Sequence, residues 1–232
     1  MIEPKLPSQL ALDLGRAEAF AREDLVVTPA NAAAVDVIDR WPNWPGTVAI
    51  LIGPHGSGKS HMAKAWALKS GAVQLNANKL EQLPDSVSAV VIDPLTDNQF
   101  AIDETALFHL INALKAKSGH LLLTSVQPVA SLSIALADLK SRLAAATHAE
   151  ISMPDDALLS GLIAKAFADR QLAVDPDVVA YLTYRIERSA AAAQEIVALI
   201  DAQALARKTR ITRAFVVQVI KGHQAGDEPT LF

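Results

Sequence analysis

Four short apolar runs punctuate the first two-thirds of the chain: TVAILIG (47–53), VQLNA (73–77), AVVID (89–93) and HLLLTS (120–125). They are continuous rather than alternating, rich in β-branched residues and leucine. Such runs read as strands buried on both faces of a parallel sheet. Between the last two, DETALFHLINALKAK (103–117) has helical period, with Leu107, Leu110, Ile111 and Leu114 on one stripe. NAAAVDVIDR (31–40) predicts a shorter helix with Thr28 or Asn31 as its N-cap, and WPNWPG (41–46) turns the chain out of it. A further helix is expected over about 59–70, after the first run. Strands alternating with helices predict an α/β layer.

The pattern changes after EISMPDD (150–156), beyond which no strand-like run remains. Helices are expected at about 155–170, 176–188, 190–208 and 212–221, with Pro176 in a first turn and Thr212 as an N-cap. The expected organisation is an N-terminal arm (1–20), an α/β domain (21–153), a helical domain (154–222) and a loose tail (223–232). Composition agrees: 232 residues, 51% hydrophobic and 20% charged, suit one or two globular domains rather than disorder. The absence of cysteine excludes disulfides and thiol chemistry. The start, MIEPKLPSQL, lacks the apolar core of a signal peptide, and no apolar run approaches the roughly 18 residues of a membrane span. A soluble, cytoplasmic protein is the expectation. The net charge of −4 argues against nucleic acid as the main partner.

Chemistry concentrates at the ends of the apolar runs. GPHGSGKS (53–60) fits the spacing G-x-x-x-x-G-K-[ST] and lies between an expected strand and an expected helix. Gly53, Gly56 and Gly58 let the backbone turn its N–H groups inward, and the helix N-terminus adds partial positive charge. Lys59 reaches the β- and γ-phosphates of a nucleotide and Ser60 ligates Mg2+. The cradle thus comprises Gly53, Pro54, His55, Gly56, Ser57, Gly58, Lys59, Ser60 and His61, with His55 on the solvent side of the loop. Asp93, closing VVID, is the second Mg2+ position; its alternative is to cap a strand end. The next residue, Pro94, carries no side-chain base, and Asp97 is the nearest acid that follows. Thr124 and Ser125 have two readings: polar groups that orient water near the γ-phosphate, or caps of the turn before Pro128.

Three further stretches stand apart. DLKSRL (138–143) sets Lys140 and Arg142 among apolar residues, as an inter-subunit arginine or as part of a solvated helix face. QLALDL (9–14) offers Gln9, Leu10, Leu12 and Leu14 to a groove on a partner, or to the chain's own domain. Arg207, Lys208, Arg210, Arg213 and Lys221 form either a nucleic-acid patch or a solvated basic face; no aromatic platform accompanies them in the sequence.

In order, GPHGSGKS, VVID, DETALFHLINAL, LLLTSVQP and DLKSRL resemble the AAA+ domain of the bacterial replication initiator DnaA, over nearly all of residues 20–221. The phosphate loop is widely shared; FHLINAL and LTSVQP are more specific to this family. The resemblance implies an AAA+ P-loop domain with a five-stranded parallel sheet flanked by helices, followed by a small all-helical lid. REDLVVTPANAAAV (22–35) resembles the family's adenine-embracing segment, which implies that Val26 and Val27 line the base. Arg142 matches the family's inter-subunit arginine. QLALDL resembles the peptide by which bacterial proteins dock on the β sliding clamp, and no helix-turn-helix domain is expected after the lid. This implies a regulatory branch of the family, with the DNA-loaded clamp and DnaA as partners and a homodimer as one further assembly.

Two departures bear on hydrolysis. Pro94 replaces the acid that follows Asp93 in the family. In RSAAAAQEIVALI (188–200), alanine or Gln194 stands where the lid arginine is expected, with Arg188 upstream. Both imply a chain that holds ADP or ATP with Mg2+ and hydrolyses it poorly. The competing readings are a self-sufficient ATPase, with Asp97 as base, and a DNA-binding initiation factor. The tail DEPTLF (227–232) is read as a frayed end or a second weak clamp-type peptide.

Overall fold

The computed structural model describes residues 25–78, 80, 86–95 and 102–226. The clamp-type peptide at residues 9–14, Asp97 and the tail at 227–232 lie outside the described residues.

The chain forms one parallel sheet of five strands: β1 (Val48–Ile52), β2 (Val73–Leu75), β3 (Ala89–Ile92), β4 (His120–Ser125) and β5 (Thr147–Glu150), in the spatial order β2-β3-β4-β1-β5. Helices α1 (Ala32–Arg40) and α2 (Lys59–Ser70) cover one face; α3 (Glu104–Ala116) and α4 (Ala137–Ala144) cover the other. The unbroken apolar runs explain the sandwich. Alternate residues of β1 and β4 point to opposite faces, so Ile50 and Leu123 meet the α3–α4 layer while Leu51 and Leu122 meet α1 and α2. All four stripe residues of α3 are buried, and Asp103 caps that helix by accepting the Ala106 N–H.

Two strands depart from the sequence reading. VQLNA does not form a doubly buried strand: Val73 and Gln74 are exposed, because β2 lies at the sheet edge and pairs only with β3. The fifth strand, THAE, carries no apolar run and places only Ala149 in the core, so its pairing with β1 is invisible to hydrophobic pattern. Asn31 stands at the N-cap of α1 but sends its side chain backwards: Oδ1 accepts from Thr28 N–H and Nδ2 donates to the Val26 carbonyl. That brace shapes the entry segment.

The helical domain comprises α5 (Asp156–Asp169), α6 (Pro176–Thr183), α7 (Ala190–Arg207) and α8 (Arg213–Gly226). Asp155, Ser189 and Thr212 cap α5, α7 and α8 by accepting backbone N–H bonds from Leu158, Ala192 and Phe215. Pro176 is in the first turn of α6. That helix ends at Thr183, short of residue 188, and its last turn tightens through an Arg185 N–H bond to the Leu182 carbonyl three residues back. The four helices enclose their own core around Ile163, Phe167, Val197 and Val216. Among the described residues no helix is long and apolar enough to cross a membrane.

Candidate functional site

The site lies at the carboxyl ends of β1, β3 and β4, where an open parallel sheet exposes loops to a ligand. After β1 the chain turns through residues 53–58 and enters α2 at Lys59. Gly56 (φ 75°) and Gly58 (φ 98°) occupy left-handed backbone that a side chain would strain. Gly53 is required for a different reason: a Cβ there would stand 2.3 Å from the Ile151 carbonyl oxygen. The loop is tied down by a bond from Gly53 N–H to the Ser125 carbonyl, 3.1 Å.

Lys59 is only 8% exposed. Its ammonium donates to the Gly53 and Pro54 carbonyls, each at 2.7 Å, and lies 3.4 Å from Ser57 Oγ. Burial holds its pKa below the usual lysine value, and the Asp93 carboxylate opposes that shift. Beside it, Ser60 Oγ donates to Asp93 Oδ1 at 3.1 Å, and Thr124 Oγ1 donates to the same oxygen. Leu95 N–H, bonded to the Thr124 carbonyl at 2.8 Å, pins the chain just after Pro94.

The residues fit a nucleotide's phosphates and a magnesium ion. A buried ammonium folded onto carbonyls has poor partners compared with a phosphate, and it sits at the N-terminus of a twelve-residue helix. Ser60 Oγ and Asp93 present two hard oxygen donors side by side, the set that magnesium takes together with phosphate oxygens and water. When bound, the ion would neutralise phosphate charge; Lys59 would bind phosphate, and Asp93 and Thr124 would hold the ion's shell in place.

The other expected residues are divided. Thr124 is fully buried on Asp93, which joins it to the site. Ser125 Oγ instead donates to the Gln127 carbonyl at 2.6 Å and accepts the Gln127 N–H, as the turn-capping reading has it. Pro54 and His55 are exposed on the loop, and His61 is half-buried on α2. Val26 packs against α5, where a Cβ on Gly161 would stand 2.8 Å from its Cγ1; Val27 is exposed. The entry segment therefore spans from the sheet to the lid. Arg142, in the last turn of α4, lies on the other helical layer with its guanidinium 4.7 Å above the centre of the Phe108 ring.

The lid meets the loop at Ser189, whose Cβ a side chain on Gly56 would approach within 2.9 Å. The Arg188 side chain engages α5 and not the loop: it pairs with Asp156 at 2.5 Å and donates to the Pro154 carbonyl at 3.2 Å, bracing the start of that helix. Gln194 is exposed on α7. Sequence reasoning missed Ser189 as the lid's contact with the loop, Asp156 as the partner of Arg188 and Phe108 as the support of Arg142. Only the cap role of Ser189, ahead of an alanine-rich helix, had a readable signal.

No protein-family model and no curated protein matches the chain. Solved structures do. Domain III of the Thermotoga maritima replication initiation protein DnaA is 16% identical with a TM-score of 0.71, over 93% of this chain and 98% of that one. AMPPCP-bound DnaA from Aquifex aeolicus is 18% identical with a TM-score of 0.67, over 79% and 65%. The chain shares its fold with these replication initiator structures. RuvB, the Holliday junction branch migration motor of Thermotoga maritima, is more distant at 16% identity and a TM-score of 0.59, over 75% and 61%. Within this fold the phosphate loop, Asp93 and Thr124 lie together where the sheet meets the lid.

Proposed function

We propose that the chain is an Hda-like regulator of chromosomal replication: a nucleotide-holding AAA+ module, docked on the β sliding clamp through Gln9, Leu10, Leu12 and Leu14, that presents Arg142 to DnaA and promotes hydrolysis of DnaA-bound ATP. The observation that carries this reading is Pro94, which stands directly after the Mg2+ position at Asp93 and offers no acid to prepare water. The module can hold ADP or ATP with Mg2+, and the bound nucleotide stabilises it by mass action. Arg142 supports the other half. Among the described residues no carboxylate pairs with it, and Phe108 holds its guanidinium in one orientation at a half-exposed site.

Two assays test the two halves separately. Leu12→Ala with Leu14→Ala should abolish binding to the purified clamp; unchanged affinity removes the docking step. Arg142→Ala should leave clamp binding intact while lowering stimulation of DnaA ATPase on the order of 10³-fold, as for an arginine acting on a neighbour's phosphates. Single-turnover hydrolysis by the chain alone, in the ordinary enzyme range of about 1–10³ per second, would replace this reading with that of a self-sufficient ATPase.

A further inference from the structure

The lid carries a second charged surface, remote in role from the nucleotide crevice. Between residues 202 and 226 there are five lysines and arginines and no carboxylate, in a chain whose net charge is −4. The fold adds what that stretch lacks. Tyr181, on α6, lies under two guanidinium groups at once: Arg185 at 5.3 Å and Arg213, from α8, at 5.6 Å. Tyr184, one turn further on, is 74% exposed. On the α7–α8 side, Arg207 covers the Phe215 ring at 5.7 Å, and Lys208 and Arg210 follow it in the exposed connection. Among the described residues none of Arg185, Arg207, Lys208, Arg210 and Arg213 has a carboxylate within 4.0 Å. Arg185 and Glu195 also line a 330 Å³ cleft whose apolar walls are Ile186, Ile196, Leu199 and Ile220.

From this arrangement we infer that the α6–α8 face of the lid binds single-stranded nucleic acid, with the arginines on phosphates, Tyr184 stacked on a base and the cleft receiving an unstacked base. Guanidinium groups held over rings, without ion-pair partners, are pre-oriented for phosphate oxygens. An exposed tyrosine beside them is a stacking platform. A membrane surface fits less well: the apolar side of α8, with Phe215, Val216, Val219 and Ile220, is already buried in the lid core and leaves no face to enter lipid. An acidic protein would match the arginines but has no use for the exposed ring and would meet Glu195 at the cleft. The inference does not depend on the clamp peptide or on Arg142.

The test is fluorescence anisotropy of a labelled oligothymidylate, titrated with the full nucleotide-loaded chain at several salt concentrations. Binding should weaken steeply with salt. Arg185→Ala with Arg213→Ala should flatten the log–log slope by about 0.7 for each phosphate that is no longer neutralised. Tyr184→Ala should weaken binding about 5- to 100-fold with the slope unchanged. All three positions are exposed, and unchanged ADP affinity in each variant shows that the lid remains folded on the loop. Lack of salt-dependent binding, or variants that bind as the parent does, overturns the inference. Preference for polyglutamate or for anionic vesicles over the oligonucleotide also overturns it and assigns the face to that partner. Failure of clamp docking leaves these outcomes unaffected.

Discussion

The α/β domain and the lid keep their charges in opposite places. At the carboxyl ends of the strands, Lys59 lies inside and Asp93 is half-buried, each held by bonds to loop carbonyls or hydroxyls. On the lid, Arg185 and Arg213 lie outside, resting on an aromatic ring and, among the described residues, bonded to no acid. Dehydrating a charge is costly, so a chain retains one inward where a ligand offsets that cost. An exposed cation costs little and stays free for a partner. The contrast separates a pocket that grips a small anion from a surface that meets a large one.

The largest expected effect asks whether the two regions fold as separate cores. Trp66, fully buried on α2 and stacked on Trp44 at 5.3 Å, belongs only to the sheet; Phe167 belongs only to the lid. Trp66→Ala and Phe167→Ala should each cost about 3–5 kcal/mol in urea unfolding. If they shift the same single transition equally, the two cores form one cooperative unit and the division weakens.

Next comes the inward charge. Lys59→Gln should weaken ADP binding by about 10- to 100-fold in calorimetry, the value of a charge-assisted hydrogen bond of about 1.5–3 kcal/mol. Its effect on stability has the opposite sign. Burial lowers the Lys59 pKa in the folded state below its usual 10.5, so the unfolded chain holds this proton to higher pH. The parent should therefore gain stability, relative to Lys59→Gln, as pH rises toward 10.5. His120 tests the same rule at the other end of β4. Burial among Trp41 and Trp44 holds its pKa below 6.5, against a hydrogen bond that the ring donates to the Pro42 backbone carbonyl. As pH falls below 6.5 the unfolded chain takes up the proton first, so stability should fall there. His120→Phe should flatten that part of the pH profile.

The smallest effect concerns the seam. The Arg188–Asp156 pair is about half exposed on both sides. Arg188→Ala should cost about 1 kcal/mol or less. It should also leave ADP affinity nearly unchanged, since the guanidinium bonds the start of α5 and not the loop. A large loss of affinity would show that Arg188 swings onto the nucleotide.

Hydrophobic order along the chain was enough to determine the α/β layer, the helical second half and the phosphate loop, because each is a local matter. An unbroken run such as VAILI has to be covered on both faces, and GPHGSGKS between strand and helix has few other conformations open to it. The edge position of β2 and the existence of β5 were decided by neighbours: a strand's burial depends on what flanks it, and THAE is held by pairing with β1 rather than by its own apolarity. The site divides in the same way. Lys59, Ser60 and Asp93 were legible from spacing. That Thr124 turns to Asp93 while Ser125 turns to Gln127 follows from the strand's alternation against real partners, which spacing does not carry. Tyr181 and Arg213 lie 32 residues apart in the chain and share one surface only because α6 packs on α8.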